Sequence, residues 1–193
     1  MTKYKTGHKD ETRRRIVKTA SRMFREKGVE STTLPDVMSA AGLTVGGFYK
    51  HFESKDALFS EALAEALSGT SKLLALIDPE TTGDAWQAAA SSLYLTEAHR
   101  DNRAAGCAMA ALSGDLARAD QGVRQTFEEG LLNLIRAFET RMEGDVESRR
   151  AETWRFLSLM LGGLILSRAV ADAETSSEIL AACRGAFTGE SAP

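Results

Sequence analysis

The stretch Thr32–Leu63, TTLPDVMSAAGLTVGGFYKHFESKDALFSEAL, decides the fold because it contains successive helix starts separated by short turns. Thr33 followed three residues later by Asp36 is a capping arrangement, and Pro35 suits the first helical turn, where no intrahelical donor is needed. Gly42 supplies the positive φ of a tight turn. The sequence therefore predicts a helix that begins at Thr33 and ends at this turn.

The segment after the turn, VGGFYKHF, is predicted to form a third helix capped by Thr44. Phe48 and Phe52 are spaced i, i+4 and should anchor this helix inward, which leaves the polar side chains between them facing outward. Ser54 is placed to cap a long fourth helix. Two helices joined by a short glycine turn form a helix-turn-helix, in which the second helix lies in the DNA major groove.

Gly46 and Gly47 cost about 1 kcal/mol each relative to alanine in a helix. This loss is understandable if the start of the helix must approach base edges or another backbone closely. The alternative is a generic pair of short helices with accidental glycines. The caps, the turn, the polar tip and a basic first helix all favour the DNA-binding interpretation.

The first helix is predicted from about Lys9 to Lys27 and ends at Gly28, a left-handed cap. Its apolar residues fall on one face, and arginines and lysines occupy much of the remainder. The face consists of Ile16, Ala20, Met23 and Phe24.

Charge is unevenly distributed along the 193 residues, whose formal net charge is −3. Residues 1–55 contain 12 lysines and arginines against 6 acidic residues, whereas residues 56–193 contain 12 against 21. A basic end on an acidic body indicates that one end meets a polyanion. Charge alone is equally compatible with a solvated basic helix.

The rest of the chain is predicted to be helical, since it is rich in Ala, Leu, Glu and Arg and has no strand-like alternation. An all-α protein of about nine helices is expected. The five helices predicted for the body are 83–100, 106–119, 121–142, 148–173 and 176–187.

No membrane partner or exported location is expected. The N-terminus is polar and basic, without the apolar core of a signal peptide. The longest apolar run, Phe156–Val170, is too short and too polar to span a bilayer. Cys107 and Cys183 do not make a disulfide scaffold, so reduced thiols in the cytoplasm are the simpler interpretation.

Catalysis is not expected either. The three histidines, His8, His51 and His99, have no partners at a metal-ligand spacing, and no nucleotide-binding or nucleophile motif is present. We therefore predict no enzyme, no catalytic residues, no metal and no cofactor. A small helical enzyme or a protein-interaction module is the alternative from another functional class.

The quoted stretch closely resembles the DNA-binding signature of the tetracycline-repressor (TetR) family. The similarity covers roughly residues 14–63, with Thr33, the Ala41-Gly42 turn, the 47–52 segment GFYKHF and Lys55 in the matching places. It implies a three-helix DNA-binding domain over residues 1–55. A fourth helix, 55–77, would connect it to an effector-binding and dimerisation domain over 56–193.

The resemblance also implies DNA contacts, through bases or nearby phosphates for some residues and through helix N-termini for Thr33 and Lys55. The expected DNA-binding residues are Thr33, Thr44, Val45, Gly46, Gly47, Tyr49, Lys50, His51 and Lys55. The N-terminal arm TKYKTGHK is expected to add minor-groove or backbone contacts and to be mobile until DNA is bound.

In the resembled family the two C-terminal helices form a four-helix bundle across a two-fold dimer, and two recognition helices read a palindrome. The alternative is that both helices complete a monomer core. The residues expected at the dimer interface are Leu157, Leu161, Gly162, Leu164, Ile179, Cys183 and Phe187.

A small, largely apolar effector is expected to bind among the body helices. Each candidate residue is also a candidate for ordinary core packing. The candidate pocket residues are Trp86, Tyr94, Cys107, Met109, Phe127, Leu131, Trp154 and Phe156. Cys107, at a predicted helix start, follows Gly106 in a segment resembling a subgroup in which some members sense electrophiles or oxidants. A small buried hydrophobe is the preferred interpretation of this thiol.

Together these expectations predict a cytoplasmic, homodimeric repressor that an effector releases from a palindromic operator in double-stranded DNA. A regulator sensing redox state or electrophiles through Cys107 is the alternative.

Overall fold

The computed structural model describes residues 3–74 and 76–189, with side chains for 8–69 and 76–189. Every regular element in these ranges is a helix, which confirms the all-α prediction. The helices are α1 (Lys3–Lys27), α2 (Leu34–Ala40), a 3₁₀ helix (Val45–Lys50), α3 (Lys55–Leu74), α4 (Gly83–Tyr94), α5 (Glu97–Asp101), α6 (Ala108–Arg118), α7 (Gln121–Glu139), α8 (Val146–Ala169) and α9 (Ala173–Thr188). In this part of the chain no helix is both long and apolar enough to cross a membrane.

Several helix boundaries differ from the predicted ones. Helix α1 begins at Lys3 instead of Lys9, so the backbone of residues 3–8 in the expected mobile arm is helical. The predicted helix 83–100 is two helices, because Thr96 accepts a hydrogen bond from the His99 N–H at 3.1 Å and starts α5. Helix α8 ends at Ala169 instead of residue 173, and Asp172 caps a new helix there.

The predicted caps of the quoted stretch are present. The Asp36 N–H donates to Thr33 Oγ1 at 3.3 Å, and the Ala57 N–H donates to Ser54 Oγ at 3.0 Å. Gly42 has φ +69°, in the left-handed region that the turn requires. Thr44 has the extended backbone of a cap, but its side chain makes no capping hydrogen bond.

The segment predicted as a third α-helix adopts 3₁₀ geometry over Val45–Lys50. Two adjacent glycines weaken the α-helical preference at its start. A tighter helix of six residues is compatible with the usual short length of 3₁₀ helices. The prediction of a short helix was therefore right, and its helix type was wrong.

The N-terminal helices pack around a continuous apolar core. We call residues 8–63 of α1, α2, the 3₁₀ helix and the start of α3 the head. The predicted face of α1 is buried, and Phe24 meets Phe59 of α3 edge-on, with ring centroids 5.3 Å apart. The buried residues of the head include Ile16, Ala20, Met23, Phe24, Val37, Met38, Phe48, Phe52, Leu58 and Phe59.

The remaining helices, α4–α9, form what we call the body, and α3 extends from the head into it. Helix α3 packs against α7, where Gly130 permits a close approach. A Cβ at Gly130 would lie 2.5 Å from Leu67 Cδ1 of α3. Helices α1 and α3 also contact α6, so the head is joined to the body along two helices.

An aromatic cluster fills the centre of the body. The Trp86 ring lies 5.1 Å from Phe138 and 5.3 Å from Phe156, measured between centroids. Phe156 also meets Phe187 of α9 at 4.9 Å. Such tilted and edge-to-face pairs are favourable beyond the apolar area they bury.

Helices α8 and α9 pack closely at Gly163, which is buried. A Cβ at Gly163 would lie 2.8 Å from Cys183 Sγ and 2.9 Å from Cys183 Cβ. At Gly162 a Cβ would meet nothing within 4 Å. Only one glycine of the pair is therefore needed for packing within the chain, and Cys183 is the residue that packs against it.

We expect Gly163→Ala to destabilise the protein, because the added methyl group must displace the Cys183 side chain close to its backbone. Overpacking of this kind costs about 1–3 kcal/mol. The matched control is Gly114→Ala in α6, where the nearest atom outside the helix backbone is 3.7 Å away and the helix should gain up to about 1 kcal/mol. Urea unfolding of the two variants measures the difference. Equal stability of both variants would contradict the packing role.

Candidate nucleic-acid interface and junction cavity

The 3₁₀ helix and the residues beside it form an exposed tip on the head. Tyr49 is 71% exposed and Val45 is 43% exposed. Thr44, Gly46 and Lys50 are also exposed, whereas Gly47 and His51 are half-buried. The tip thus presents a phenol, an ammonium group, a hydroxyl and bare backbone to the outside.

Two phenylalanines hold this tip from beneath. Phe48 and Phe52 are buried, and their rings stack with centroids 5.6 Å apart. The exposed Tyr49 ring rests edge-on against Phe48 at 5.2 Å. The predicted inward anchoring is present, and it restricts the freedom of the outward-facing side chain.

Arg13 of α1 fixes the end of the 3₁₀ helix. Its guanidinium donates to the His51 carbonyl and forms a two-point ion pair with Glu61 of α3, in which Nε lies 3.0 Å from Oε2. Its Cζ also lies 4.2 Å above the Phe52 ring centroid, a cation–π contact. No sequence pattern indicated this role, because Arg13 is one of several arginines on the polar side of α1.

The N-termini of α2 and α3 flank the tip. The exposed Thr33 hydroxyl donates to Asp36 Oδ2 at 2.6 Å while it caps α2. Lys55 is the first residue of α3 and is half-buried. Unpaired backbone N–H groups at a helix N-terminus attract oxyanions, and a lysine at such a position adds a positive charge.

His51 lies among cations. Burial is the main factor that lowers its pKa, and the positive charges of Lys9, Arg13 and Lys50 lower it further. The imidazole is therefore neutral at pH 7, and its Nδ1 makes no hydrogen bond. The same cations give this side of the head a positive potential.

A cavity of about 650 Å³ lies where the head meets the body, and we call it the junction cavity. Its walls come from α1 and α3 on one side and from α4, α5 and the turn before α6 on the other. The lining residues are Lys18, Ser21, Arg22, Arg25, Glu65, Ala66, Gly69, Leu93, Tyr94, Ala98, His99, Asn102, Ala104, Ala105, Gly106 and Cys107.

Only two of the predicted pocket residues, Tyr94 and Cys107, line the junction cavity. The other six belong to the body core. Trp86, Met109 and Phe156 are fully buried in it, and the remaining three are half-buried against it: Phe127, Leu131 and Trp154. Apolar periodicity identified core residues, whereas the cavity is lined mainly by polar and small residues.

His99 organises the wall of the cavity next to Cys107. Its Nδ1 lies 2.8 Å from the Tyr94 carbonyl, and its Nε2 lies 3.0 Å from the Cys107 backbone N–H. The ring therefore donates from Nδ1 and accepts at Nε2, which is the neutral form. Burial lowers the His99 pKa, as does Arg168, while the hydrogen bond to Tyr94 opposes the shift. Cys107 precedes α6 at the N-cap position and is buried.

The head corresponds to a known sequence family. Residues 16–62 match the family described as "Bacterial regulatory proteins, tetR family". The head therefore matches the TetR-family model, over about a quarter of the 193 residues. The match spans the buried face of α1, both turns, the tip and the start of α3.

Named relatives are similar to this chain over about a quarter of its length. The HTH-type transcriptional regulator AcrR of Shigella flexneri is 49% identical over 51 residues, 26% of this chain and 24% of its own length. YerO of Bacillus subtilis, an HTH-type transcriptional regulator, is 43% identical over 53 residues, 28% of this chain and 18% of its own length. The chain thus matches about a quarter or less of these two relatives. Both are named as regulators, in agreement with the prediction that the chain is not an enzyme.

Solved structures extend the similarity of fold to the body. Reduced NemR of E. coli has a TM-score of 0.77 at 17% identity, covering 95% of this chain and 98% of its own. A TetR-family regulator from Cytophaga hutchinsonii has a TM-score of 0.76 at 19% identity, covering 96% and 98%. The helical fold of almost the whole chain is therefore shared with these two structures, at less than 20% sequence identity.

We expect the protein to lose stability as the pH falls below about 6.5, partly because His99 must be neutral in the fold. The unfolded chain binds the proton more tightly, so stability rises with pH in this range. His51 acts in the same direction. In His99→Gln the decline in unfolding free energy between pH 6.5 and 5 should be shallower, as measured by urea unfolding. His8→Gln, at an exposed position of α1, is the control, and an unchanged slope in His99→Gln would contradict the assignment.

Proposed function

We propose that this chain is a sequence-specific DNA-binding transcriptional repressor that acts as a homodimer on a palindromic operator. The observation that carries the proposal is the exposed polar tip, which is fixed on the stacked Phe48 and Phe52 rings inside a TetR-family head. A rigid short helix that projects from a basic domain fits the major groove of double-stranded DNA.

The proposed DNA contacts fall into two groups. The tip residues Thr44–His51 face base edges and the nearest phosphates, with Tyr49 and Lys50 as the principal side chains. Val45, Gly46 and Gly47 offer a methyl surface and close backbone approach instead of hydrogen-bonding side chains. Thr33 and Lys55, at the starts of α2 and α3, hold phosphates on either side.

The proposed dimer forms through an apolar face on α8 and α9. Leu166 is 56% exposed, and Leu159 and Ile165 are also exposed on α8. Gly162 lies between them with open space above it. Exposed leucines beside a bare backbone position form a surface that a second copy of α8 can approach closely.

The structure revises the residues assigned to this interface. Leu157 and Leu164 are buried within the protomer and leave no surface for a second copy. Leu161, Ile179, Cys183 and Phe187 are half-buried. Because an α-helix turns by about 100° per residue, the outward positions on α8 are Leu159, Gly162 and Leu166. Gly162 is retained from the predicted set, and the two flanking leucines replace the buried pair.

Helix α3 provides the proposed route from effector to DNA. It begins beside the tip at Lys55 and contacts α6 and α7 in the body. A small molecule that binds one arrangement of α3 against the body more tightly shifts the population toward it. In a dimer this changes the spacing of the two tips and releases the operator.

The alternatives have less support. Cys107 is only 5% exposed, so its thiol offers little surface to an oxidant or an electrophile, and packing is the preferred role. A vestigial head would be expected to have lost the groups that contact DNA, whereas Tyr49, Lys50 and Lys55 are all present. A helical enzyme has no motif to support it.

Selection of DNA from a random pool by the purified protein should enrich a palindrome at near-physiological salt. Lys55→Ala should then weaken binding to all sequences and reduce the salt slope by about 1, because a phosphate contact is lost. Lys27→Ala is the control, because Lys27 lies at the C-terminal end of α1, about four helical turns from the contact of Arg13 with the tip. An unchanged salt slope for Lys55→Ala would contradict its phosphate contact.

Tyr49→Ala should weaken operator binding more than binding to random DNA. An equal loss of affinity for both kinds of DNA would instead assign Tyr49 to a contact with the DNA backbone.

We expect Leu166→Glu to convert the dimer to a monomer, because it places a charge at the most exposed apolar residue of the proposed face. Light scattering coupled to size-exclusion chromatography measures the mass. Val146→Glu is the matched control, since Val146 is also exposed on α8 but is its first residue, about five and a half helical turns away. A dimeric Leu166→Glu variant with unchanged affinity would move the interface elsewhere.

A further inference from the structure

The junction cavity contains two buried hydroxyl groups that have no hydrogen-bond partner among the residues that the structure describes. Ser21 is 4% exposed and Tyr94 is 5% exposed, and both line the cavity. Ser21 Oγ makes no hydrogen bond, and Tyr94 Oη lies beside the Cys107 thiol without a well-formed one. A buried hydroxyl without a partner is destabilising, so two in one cavity point to a ligand that supplies the missing acceptor.

The cavity also contains more positive than negative charge. Lys18, Arg22 and Arg25 line it from α1, against the single carboxylate of Glu65. Arg25 is half-buried, and its Nε donates to the Ala104 carbonyl at 2.9 Å. Within the described part of the chain, its two terminal nitrogens make no hydrogen bond. A guanidinium held at one end and open at the other is suited to bind a carboxylate or a similar anion.

The remaining wall is apolar and small. Leu93 is partly exposed into the open space, and alanines from α3, α5 and the turn before α6 surround it. These residues leave room for an aromatic or aliphatic body. The cavity therefore combines a cationic, hydroxyl-bearing side with an apolar side, which fixes the orientation of an amphipathic ligand.

We propose that the junction cavity binds a small organic anion with an apolar body. Arg25 and Arg22 hold the anionic group, the Tyr94 and Ser21 hydroxyls donate hydrogen bonds to it, and Leu93 contacts the apolar part. Such a ligand touches the head through α1 and α3 and the body through α4 and α5. The inference that this ligand is the effector rests on the proposed function, whereas the inference that it binds in the cavity does not.

The residues that line the cavity indicate an anionic ligand, whereas apolar periodicity carries no information on the charge of a ligand. The sequence led to the expectation of a largely apolar effector because few candidate charges were expected in the interior. The cations of α1 lie next to the body only because the head packs against it. That packing joins segments that are far apart in the sequence, so residue spacing did not predict it.

Two fluorescent probes of nearly the same shape test the charge requirement. 1-Anilinonaphthalene-8-sulfonate is an anion, and N-phenyl-1-naphthylamine is its neutral counterpart. Titration of the folded, full-length protein without DNA should give at least tenfold tighter binding of the sulfonate, as expected for a charge-assisted hydrogen bond. Equal affinities of the two probes would overturn the proposal.

Matched variants locate the binding site. Arg25→Gln should weaken sulfonate binding by about tenfold, and Arg22→Gln, at the exposed rim, by about threefold to fivefold. Glu65→Gln should strengthen it, because the opposing carboxylate is removed. Arg15→Gln is the control, since Arg15 is an exposed arginine of α1 outside the cavity. If Arg25→Gln and Arg15→Gln bind the sulfonate equally, the cavity is not the site.

Tyr94→Phe separates binding from folding. It removes a hydroxyl that has no partner in the free protein, so it should not lower the urea midpoint, yet it should weaken sulfonate binding by about threefold to tenfold. A lower midpoint with unchanged binding would assign the hydroxyl a structural role and overturn its part in the proposal.

The effector role is measured separately, with the operator obtained by selection. Saturating sulfonate probe should lower operator affinity for the wild type but not for Arg25→Gln. If the probe binds with the expected variant pattern and operator affinity does not change, the site stands and the effector role fails. If a palindrome is selected but no probe binds, the repressor stands and the anion site fails.

Discussion

The structure depends on the burial of one helix, α3, in two separate environments. Leu58, Phe59 and Leu63 of its first half lie in the core of the head, while Leu67 lies against Gly130 of the body. Neither half of α3 can move without disturbing an apolar contact. The orientation of the head relative to the body is therefore a packing property, and changes at the junction reach the tip through a rigid element.

The tip itself is held by a different kind of interaction. Two buried phenylalanines set its height above the core, and Arg13 connects its end to both α1 and α3. The ion pair is partly exposed and contributes little stability alone. Its importance is geometric, since one guanidinium contacts a carbonyl, a carboxylate and an aromatic ring at once.

The sequence predicted the head well because its signals are local. The Thr33 cap, the Ser54 cap and the positive φ of Gly42 each depend on residues within three positions of one another. The buried face of α1 was predicted for the same reason, because it follows from apolar residues spaced three and four positions apart within one helix. Arg13 could not be singled out, because its partners Glu61 and His51 are far along the chain. The break between α4 and α5 was missed because no glycine or proline separates Leu95 from Glu97, so the Thr96 cap was not recognised.

The body was predicted less completely because its site is assembled from distant segments. Ser21, Arg25, Glu65 and Tyr94 come from α1, α3 and α4, and nothing in their spacing indicates a shared cavity. Aromatic residues were the natural candidates for a pocket, yet Trp86 and Phe156 fill the core with their rings in contact. The two glycines of α8 are a similar case. Their presence predicts that another helix approaches closely, but it does not indicate which of the two contacts α9 of the same chain.

The different environments of Gly162 and Gly163 have a consequence for pairing specificity. Gly163 is fixed by Cys183 of its own chain, whereas Gly162 is free to change without strain inside the protomer. If copies associate through α8, a larger side chain at position 162 would be tolerated only by a partner with a matching recess. A substitution at position 162 would then keep related chains in one cell from forming mixed pairs, while the fold of each protomer stays intact.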